Sequence, residues 1–412
     1  MDYSSYRERV NFPHLQFKTE EMQTLNMKKK ICFLAEGFPS KGRPSFVFVQ
    51  QLVFALVDLG YDISVIAPQS LTHALVRREK VLPKKTIEKT QNGNPFQVYR
   101  PYNISFGNHF SSLSKYLENS RIKVLNNLLD EIKPDVLYGH FWHVANRMTD
   151  YALSHGLPLF VACGEGDNAL ENLVAELSHE KKKNLVKAVN GVISVSTENK
   201  RKCIEFGLAK ESRIVVLPNC VDDSLVHPTD GSQIREKLKL SKEDFLIAFV
   251  GGFIERKGPN RVLSAIRKIE DDHIKVMFIG KYIGGEVFDL NGKEVVFKGS
   301  LDHENLPLYL GASDAFVLPT LKEGCCNAIV EALACGVPVI SSNRPFNDDI
   351  LNEGNSIQVD PEDVDAISKA IYTLKSDREL YKCKKEYAVE HSNEYSITER
   401  ARKISEFIER NI

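Results

Sequence analysis

The chain has 412 residues, a formal net charge of −1, 42% hydrophobic residues and 26% charged residues. A chain of this length favours two domains with separate cores, and the near-neutral balance argues against a dedicated nucleic-acid binder. No apolar run reaches the length of a membrane span, and the eight cysteines are scattered with no C-x-x-C pair, the usage of reduced cytoplasmic thiols.

Residues 1–26 show no clear period and lack the apolar core of a signal peptide, so a flexible extension is expected there. Met27-Lys28-Lys29-Lys30 leads into Ile31-Cys32-Phe33-Leu34, a first buried strand, and the fold is expected to begin at Met27. A Gly/Pro loop over 36–45 follows. Next come a helix with Val49, Leu52, Val53 and Leu56 on one face, a stop at Gly60, and a strand over 61–67. The loop has no G-x-G-x-x-G, yet Gly37 and Gly42 would let a substrate approach the backbone. Residues 77–89 hold six basic and two acidic side chains, which suits a solvated loop and an anionic membrane surface equally. Lys181-Lys182-Lys183 adds a basic run on a predicted helix.

Residues 135–138 read as a strand, followed by Gly139-His140-Phe141-Trp142-His143. The two histidines are three apart, but no third ligand lies nearby in sequence, so zinc is not expected. A strand over 157–162 leads to Cys163-Gly164-Glu165-Gly166-Asp167-Asn168, and short buried strands follow at 191–195 and 213–217. The second half opens with a strand at 245–250 and the loop Gly251-Gly252-Phe253-Ile254-Glu255-Arg256-Lys257-Gly258. Pro259 suits the first turn of a helix whose Val262, Leu263, Ile266 and Ile269 share a face. Lys257, just before that helix, is either solvated or placed to neutralise a bound anion. Residues 274–279 and 295–298 are strands, the second followed by Gly299-Ser300-Leu301. Asp363-Val364-Asp365 spells D-x-D but falls on a predicted helix over 361–374, so it is no metal site. The capping box Ser396-x-x-Glu399 starts a last helix carrying Ile397, Ala401, Ile404 and Ile408. Strands alternate with helices throughout, and both domains are expected to be α/β with parallel sheets.

Residues 319–340 read as strand end, loop, short helix and strand. An apolar strand over 314–318 is stopped by Pro319. Asn327 can cap a helix carrying Ile329, Val330 and Leu333, Gly336 suits the left-handed residue after it, and Pro338 bars its continuation. Glu323 then sits in a loop at the carboxyl end of a strand, and Glu331 about one turn into the helix. The backbone N–H groups of Cys325, Cys326 and Asn327 would face the crevice above the sheet, where an anion such as a diphosphate binds. The two glutamates would repel a phosphate, but each can accept two hydroxyl hydrogen bonds from a sugar or a ribose diol. A diphosphate between two polyols is the outline of a nucleotide sugar. Glutamates eight apart also arise by chance, and one in a first helical turn commonly answers the dipole.

With Glu323-Gly324, Glu331-Ala332-Leu333-Ala334 and Gly336-Val337-Pro338-Val339, the stretch resembles the E-x7-E motif of the retaining glycosyltransferases of family 4. The resemblance implies that Glu323 contacts the donor sugar and Glu331 the nucleotide ribose, with Gly324, Cys325, Cys326 and Asn327 along the donor. Cys325-Cys326 stands where the family usually has Phe-Gly. The run Phe38-Pro39-Ser40-Lys41-Gly42, then Phe48-Val49-Gln50-Gln51-Leu52, is similar to the family's N-terminal loop. There Gly42 faces the donor, and Arg43 replaces a second glycine. Arg256-Lys257-Gly258 resembles the family's Arg…Lys-Gly motif, which makes Lys257 and Arg256 the cations for the diphosphate. The family's arginine after the first glycine is Gly252 here. Gly299, Ser300 and Leu301 fall where relatives pass the backbone along the nucleobase. His140 matches a histidine that lines the acceptor cleft, although a packing role fits it as well. The family's His-Gly-Ser-Asp is Cys163-Gly164-Glu165-Gly166-Asp167 in this chain, so Glu165 or Asp167 would be the polar group facing the reaction. Pro218-Asn219-Cys220-Val221-Asp222 resembles the Pro-Asn-Gly-Val-Asp that closes the N-terminal domain.

The resemblance covers residues 30–410 and implies the GT-B architecture, two facing Rossmann-like domains with parallel sheets and an interdomain cleft. Residues 27–222 would form the acceptor-side domain, with helix 396–412 packing back on it, and residues 223–395 the nucleotide-sugar-binding domain. The implied activity is retaining, metal-independent transfer of a hexose-type sugar from a UDP- or GDP-linked donor to a glycan or lipid-linked acceptor. Surface polysaccharide biosynthesis in the cytoplasm, with peripheral contact at the inner face of the membrane, is the expected setting. No cofactor beyond the nucleotide-sugar co-substrate and no nucleic-acid partner are expected. A nucleotide-sugar epimerase of the same fold and a non-catalytic nucleotide-sugar-binding partner are the alternatives.

Overall fold

The computed structural model describes residues 29–40, 46–76, 78, 80–104, 111–165, 168–285 and 287–412. The expectations for residues 1–26, Met27, Gly42, Arg43 and Asp167 lie outside them.

Short apolar runs form the strands of the first domain. In chain order these are Lys30–Leu34 (β1), Asp62–Ile66 (β2), Gln69–Ser70 (β3), Lys85–Lys89 (β4), Pro95–Tyr99 (β5), Tyr102–Asn103 (β6), Val136–His140 (β7), Leu159–Cys163 (β8), Val189–Ser194 (β9) and Ile214–Val216 (β10). Eight of them make one sheet in the order β10-β9-β8-β7-β1-β2-β5-β4, while β3 pairs with β6. The central strands β7 and β8 are buried at every residue, as parallel strands covered on both faces must be. Residues 85–89, expected in a loop, instead pair antiparallel with β5 at the sheet edge. Their two lysines and one glutamate hide the strand signal, and such charges are how an open edge resists further pairing.

The second domain has β11 (Phe245–Val250), β12 (Ile274–Ile279), β13 (Val295–Gly299), β14 (Ala315–Leu318), β15 (Val339–Ser342) and β16 (Ser356–Val359). All are parallel, in the order β13-β12-β11-β14-β15-β16. Strand order reverses between β11 and β14 here, and between β1 and β7 in the first sheet. Doubly wound sheets open a ligand crevice beyond the carboxyl ends of such strands. The loops leaving β7 and β8 on one side, and β11 and β14 on the other, line one cavity.

The chain crosses between the domains twice, and the two crossings bond to each other. Val221 N–H donates to the Tyr395 carbonyl and Ile397 N–H to the Val221 carbonyl, both at 2.8 Å. Ser396 caps the last helix, Ile397–Arg410, accepting from the N–H groups of Thr398 and Glu399. That helix returns to the first domain and buries Ile397, Ala401, Ile404 and Ile408 in the core beside the helix Val47–Asp58. Tyr61 fixes its far end, its Oη donating to Glu409 Oε1 at 3.0 Å and lying 3.1 Å from the Ser405 hydroxyl. The helix expected over 361–374 is Val364–Ser376. Asp363 is its N-cap, accepting from the N–H groups of Asp365 and Ala366, so the D-x-D spelling is a helix cap.

The returning helix should carry measurable stability. Ile404 has no solvent exposure, so Ile404→Ala removes fully buried methyl groups and is expected to cost about 2–5 kcal/mol in urea unfolding. A loss under about 1 kcal/mol would mean the helix is not docked as described.

Candidate active site

The helix after β14 is Asn327–Ala334. Asn327 was expected to cap it, but Cys326 occupies the N-cap with no side-chain capping bond, and Asn327 is the first helical residue. The Asn327 side chain is engaged across the domain boundary instead: its Oδ1 accepts from Asn219 Nδ2 at 2.7 Å. Asn219 also donates to the Cys325 carbonyl at 3.2 Å. A helix leaves its first N–H groups without intrahelical acceptors, and this helix starts in the wall of the interdomain cavity. Gly336, at φ 72, ends the helix in the left-handed conformation that favours glycine.

Glu323 lies in the loop before this helix with its side chain 14% exposed. Its Oε1 receives Arg256 Nη1 at 2.6 Å, Lys257 Nζ at 2.7 Å and Thr320 Oγ1 at 3.0 Å. No bond to Oε2 is found among the described residues. Lys257 is brought there by the turn Glu255–Lys257 and by Gly258, whose φ of 73 lets the chain enter helix Pro259–Ile269 with Pro259 in its first turn. Burial alone would lower the Lys257 ammonium, but the adjacent Cys326 sulfur and the Glu323 carboxylate outweigh it and the net shift is upward. Glu323 is the operative partner at neutral pH, because burial pushes the Cys326 thiol itself upward. Arg256 also donates to the Lys322 carbonyl. It is bonded to Glu323 and is not among the residues that line the cavity.

Glu331, also 14% exposed, accepts from His303 Nε2 at 3.2 Å. That hydrogen bond holds the His303 imidazole above its ordinary value, against burial that would lower it. His303 escaped the sequence reading, since a lone histidine in a short turn between two elements carries no periodic signal.

The opposite wall belongs to the first domain. His140 is the last residue of β7, its ring 5.2 Å from Phe48 and 4.8 Å from Phe141. Burial, with the Arg400 charge adding to it, holds it down to about 3, so it is a neutral imidazole at physiological pH. Its Nδ1 is buried with no bond among the described residues. His143, three residues on, turns away to pair with Glu36 at 2.7 Å. Glu165 also departs from expectation. Its Oε1 accepts from Trp142 N–H at 2.6 Å, closing the start of the helix Trp142–Asn146, and Oε2 is buried with no partner among the described residues. Burial pushes this carboxyl upward, and it is not part of the cavity wall. The free N–H at a helix start captures the carboxylate.

The cavity has a volume of 460 Å³, within the range of about 300–1,000 Å³ usual for small-molecule sites. Lys257, Glu323, Gly324, Cys325, Cys326, Asn327 and Glu331 line one side, and His140, Gly164 and Arg400 the other. Gly299 ends β13, with Ser300 and Leu301 just after it, at the carboxyl edge of the same sheet but outside the cavity wall. A larger cavity of 530 Å³ is lined by first-domain residues and contains none of Lys257, Glu323, Glu331 and Arg400, so we take the interdomain one as the candidate site. Among the described residues, no cluster of three or more His, Cys, Asp or Glu is placed to hold a metal ion, and no helix is long and apolar enough to cross a membrane.

Residues 46–225 match the family model described as Glycosyltransferase Family 4, and residues 230–391 the one described as glycosyl transferases group 1. A Bacillus subtilis (strain 168) protein named as a teichuronic acid biosynthesis glycosyltransferase, TuaC, is 25% identical over 350 residues, covering 83% of this chain and 88% of the relative. An Escherichia coli UDP-Gal:alpha-D-GlcNAc-diphosphoundecaprenol alpha-1,3-galactosyltransferase is 28% identical over 234 residues, covering 53% of this chain and 60% of its own length. Among solved structures, Anabaena HepE in complex with UDP-glucose superposes with a TM-score of 0.65 at 17% identity, covering 93% of this chain and all of that one, a likeness of fold.

The His303–Glu331 pair gives a signed pH dependence. His303 is raised above 6.5 in the folded chain. Its contribution is therefore fully present below the unfolded value and is lost as pH rises through the folded one. The melting-temperature gap between wild type and Glu331→Gln is expected to be wider at about pH 5.5 than at about pH 9, and modest because the imidazole is partly exposed. An equal gap at both values would show that the pair is not formed.

Proposed function

The chain belongs to the group 1 glycosyltransferases of family 4 and has their GT-B fold. From that premise we propose that it moves a hexose-type sugar from a nucleotide-diphosphate donor to a glycan or lipid-linked acceptor, with retention of anomeric configuration. The observation that carries this reading is the convergence of Lys257, Glu323, Glu331 and the start of helix Asn327–Ala334 on one interdomain cavity.

The donor diphosphate lies across the N–H groups at 325–327, where the helix dipole and the nearby Lys257 favour negative charge. As the glycosidic bond breaks, charge builds on the leaving diphosphate, and Lys257 is positioned to stabilise it. Lys257 then shares its ammonium between the phosphate and Glu323. Arg256 keeps the Glu323 carboxylate oriented while its free oxygen accepts a sugar hydroxyl. Glu331 binds the ribose diol and exchanges its bond with His303 for it. Protein cations carry the leaving-group charge, so no metal is required in this mechanism. The acceptor hydroxyl attacks from the face the diphosphate leaves, and the diphosphate takes its proton. The neutral His140 imidazole is suited to bond a hydroxyl on the acceptor side. Closure of the cleft would exclude water and limit donor hydrolysis.

UDP and GDP sugars are the donor classes, the first supported by the UDP-glucose complex of HepE. Surface polysaccharide assembly is supported by the teichuronic acid and lipid-linked relatives. Leu75, Val76 and Ile87 are exposed, and Lys84 and Lys85 lie in the same stretch of sequence, which supports a peripheral contact with an anionic membrane at the cytoplasmic face.

Lys257→Ala is expected to lower kcat by about 10²–10³-fold with little change in donor KM, as loss of a transition-state interaction does. Steady-state kinetics matching wild type would refute the assignment. Glu331→Ala is expected to raise the donor KM about tenfold or more, as loss of a charged hydrogen bond does. A thermal-shift screen of UDP and GDP sugars finds the donor, since a ligand of the folded state raises the melting temperature. Product formation with an acceptor then separates a transferase from an epimerase, which converts donor alone, and from a binding subunit, which turns over neither.

A further inference from the structure

With Gly252 in place of the arginine the resemblance implies, and Arg256 bonded to Glu323 outside the lining, Lys257 is the one lysine or arginine that the loops of the second domain bring to the cavity wall among the described residues. A second cation arrives from the end of the chain. Arg400, in the first turn of helix Ile397–Arg410, lines the same cavity as Lys257, Cys325, Cys326 and Asn327. Its Nε and Nη2 donate to the Leu217 carbonyl at 3.4 and 3.3 Å, both long for N–H···O bonds. Its guanidinium also touches the Cys220 thiol. No carboxylate among the described residues pairs with it. The neighbouring Glu399 is taken by Arg402 and Lys403, whereas Lys257 and Arg256 share Glu323. A partly buried cation with no counter-ion is costly unless a ligand supplies the charge. Its field reaches both walls, opposing the upward push of burial on the Cys325 thiol and adding to the downward push on His140.

We propose that Arg400 is a phosphate-binding residue that supplies the second cation of the donor diphosphate site. The proposal rests on the donor reading above. A diphosphate at the helix start would draw the guanidinium from the Leu217 carbonyl, and a planar fork of donors suits two phosphate oxygens at once. Because its helix packs on the first domain, a bound diphosphate joins the two domains through charge. The cation that replaces the missing arginine is thus tied to cleft geometry.

Calorimetric titration of the full chain with UDP against uridine, and GDP against guanosine, tests this. The wild type is expected to bind one diphosphate more tightly than its nucleoside. Arg400→Gln is expected to weaken that diphosphate about tenfold or more, the usual loss for a hydrogen bond to a charged group, while leaving nucleoside affinity within about twofold. Arg400→Lys, which keeps the charge, recovers part of the loss. Unchanged diphosphate affinity in Arg400→Gln, with the wild type binding normally, overturns the Arg400 assignment alone. A parallel loss for diphosphate and nucleoside assigns the residue a structural role and overturns it too. If the wild type binds neither diphosphate, the donor reading fails and this proposal falls with it.

Discussion

One carboxylate oxygen organises the second domain's face of the cleft. Glu323 Oε1 is held by Arg256, Lys257 and Thr320, which draws the loop after β14 onto the loop after β11. A backbone bond from Leu321 N–H to the Arg256 carbonyl at 2.9 Å stitches the same two loops. Without Glu323, Lys257 would be a nearly buried ammonium with no counter-ion, a costly arrangement. With it, the site holds paired charges that an incoming phosphate can re-partition. The ion cluster thus shapes the loops and keeps a cation ready where a diphosphate would leave.

The two domains already touch around this cluster. Lys322 Nζ donates to Asn168 Oδ1 at 2.9 Å, and Thr197 gives its N–H and hydroxyl to the Asp349 carboxylate at 2.6 Å each. Gly324 lies so close to the first domain that a Cβ would come within 3.0 Å of the Gly164 carbonyl and 3.2 Å of the Glu165 carbonyl. Glycine at that position therefore serves domain approach as well as any ligand. Asn219 completes the set by bonding the helix start from the first crossing strand. These contacts hold the two walls of the cavity against each other.

Local chemistry was readable from the chain wherever it acts over a few residues. Pro259 at a helix start, the Ser396 cap and the left-handed Gly336 all depend on neighbours within one turn, and each stands where its residue type suggested. The apolar runs gave the buried parallel strands for the same reason. What escaped depends on contacts distant in sequence. Glu165 looked like a reaction-facing acid until the Trp142 N–H, 23 residues away, proved to hold it. His303 acquires meaning only beside Glu331, and Arg400 only because the last helix folds back over the hinge. The edge strand β4 was masked by its own lysines, whose charge reflects solvent on the edge and not the backbone beneath.

The most direct measurement is a crystal structure of the chain with the nucleotide sugar that raises its melting temperature most. Density is expected for a diphosphate on the backbone of Cys325 to Asn327, within ion-pair reach of Lys257, with the ribose diol on Glu331 in place of His303. A ligand bound outside the interdomain cavity, or one inside it with the diphosphate remote from Lys257 and Glu331 still on His303, would contradict the assignment.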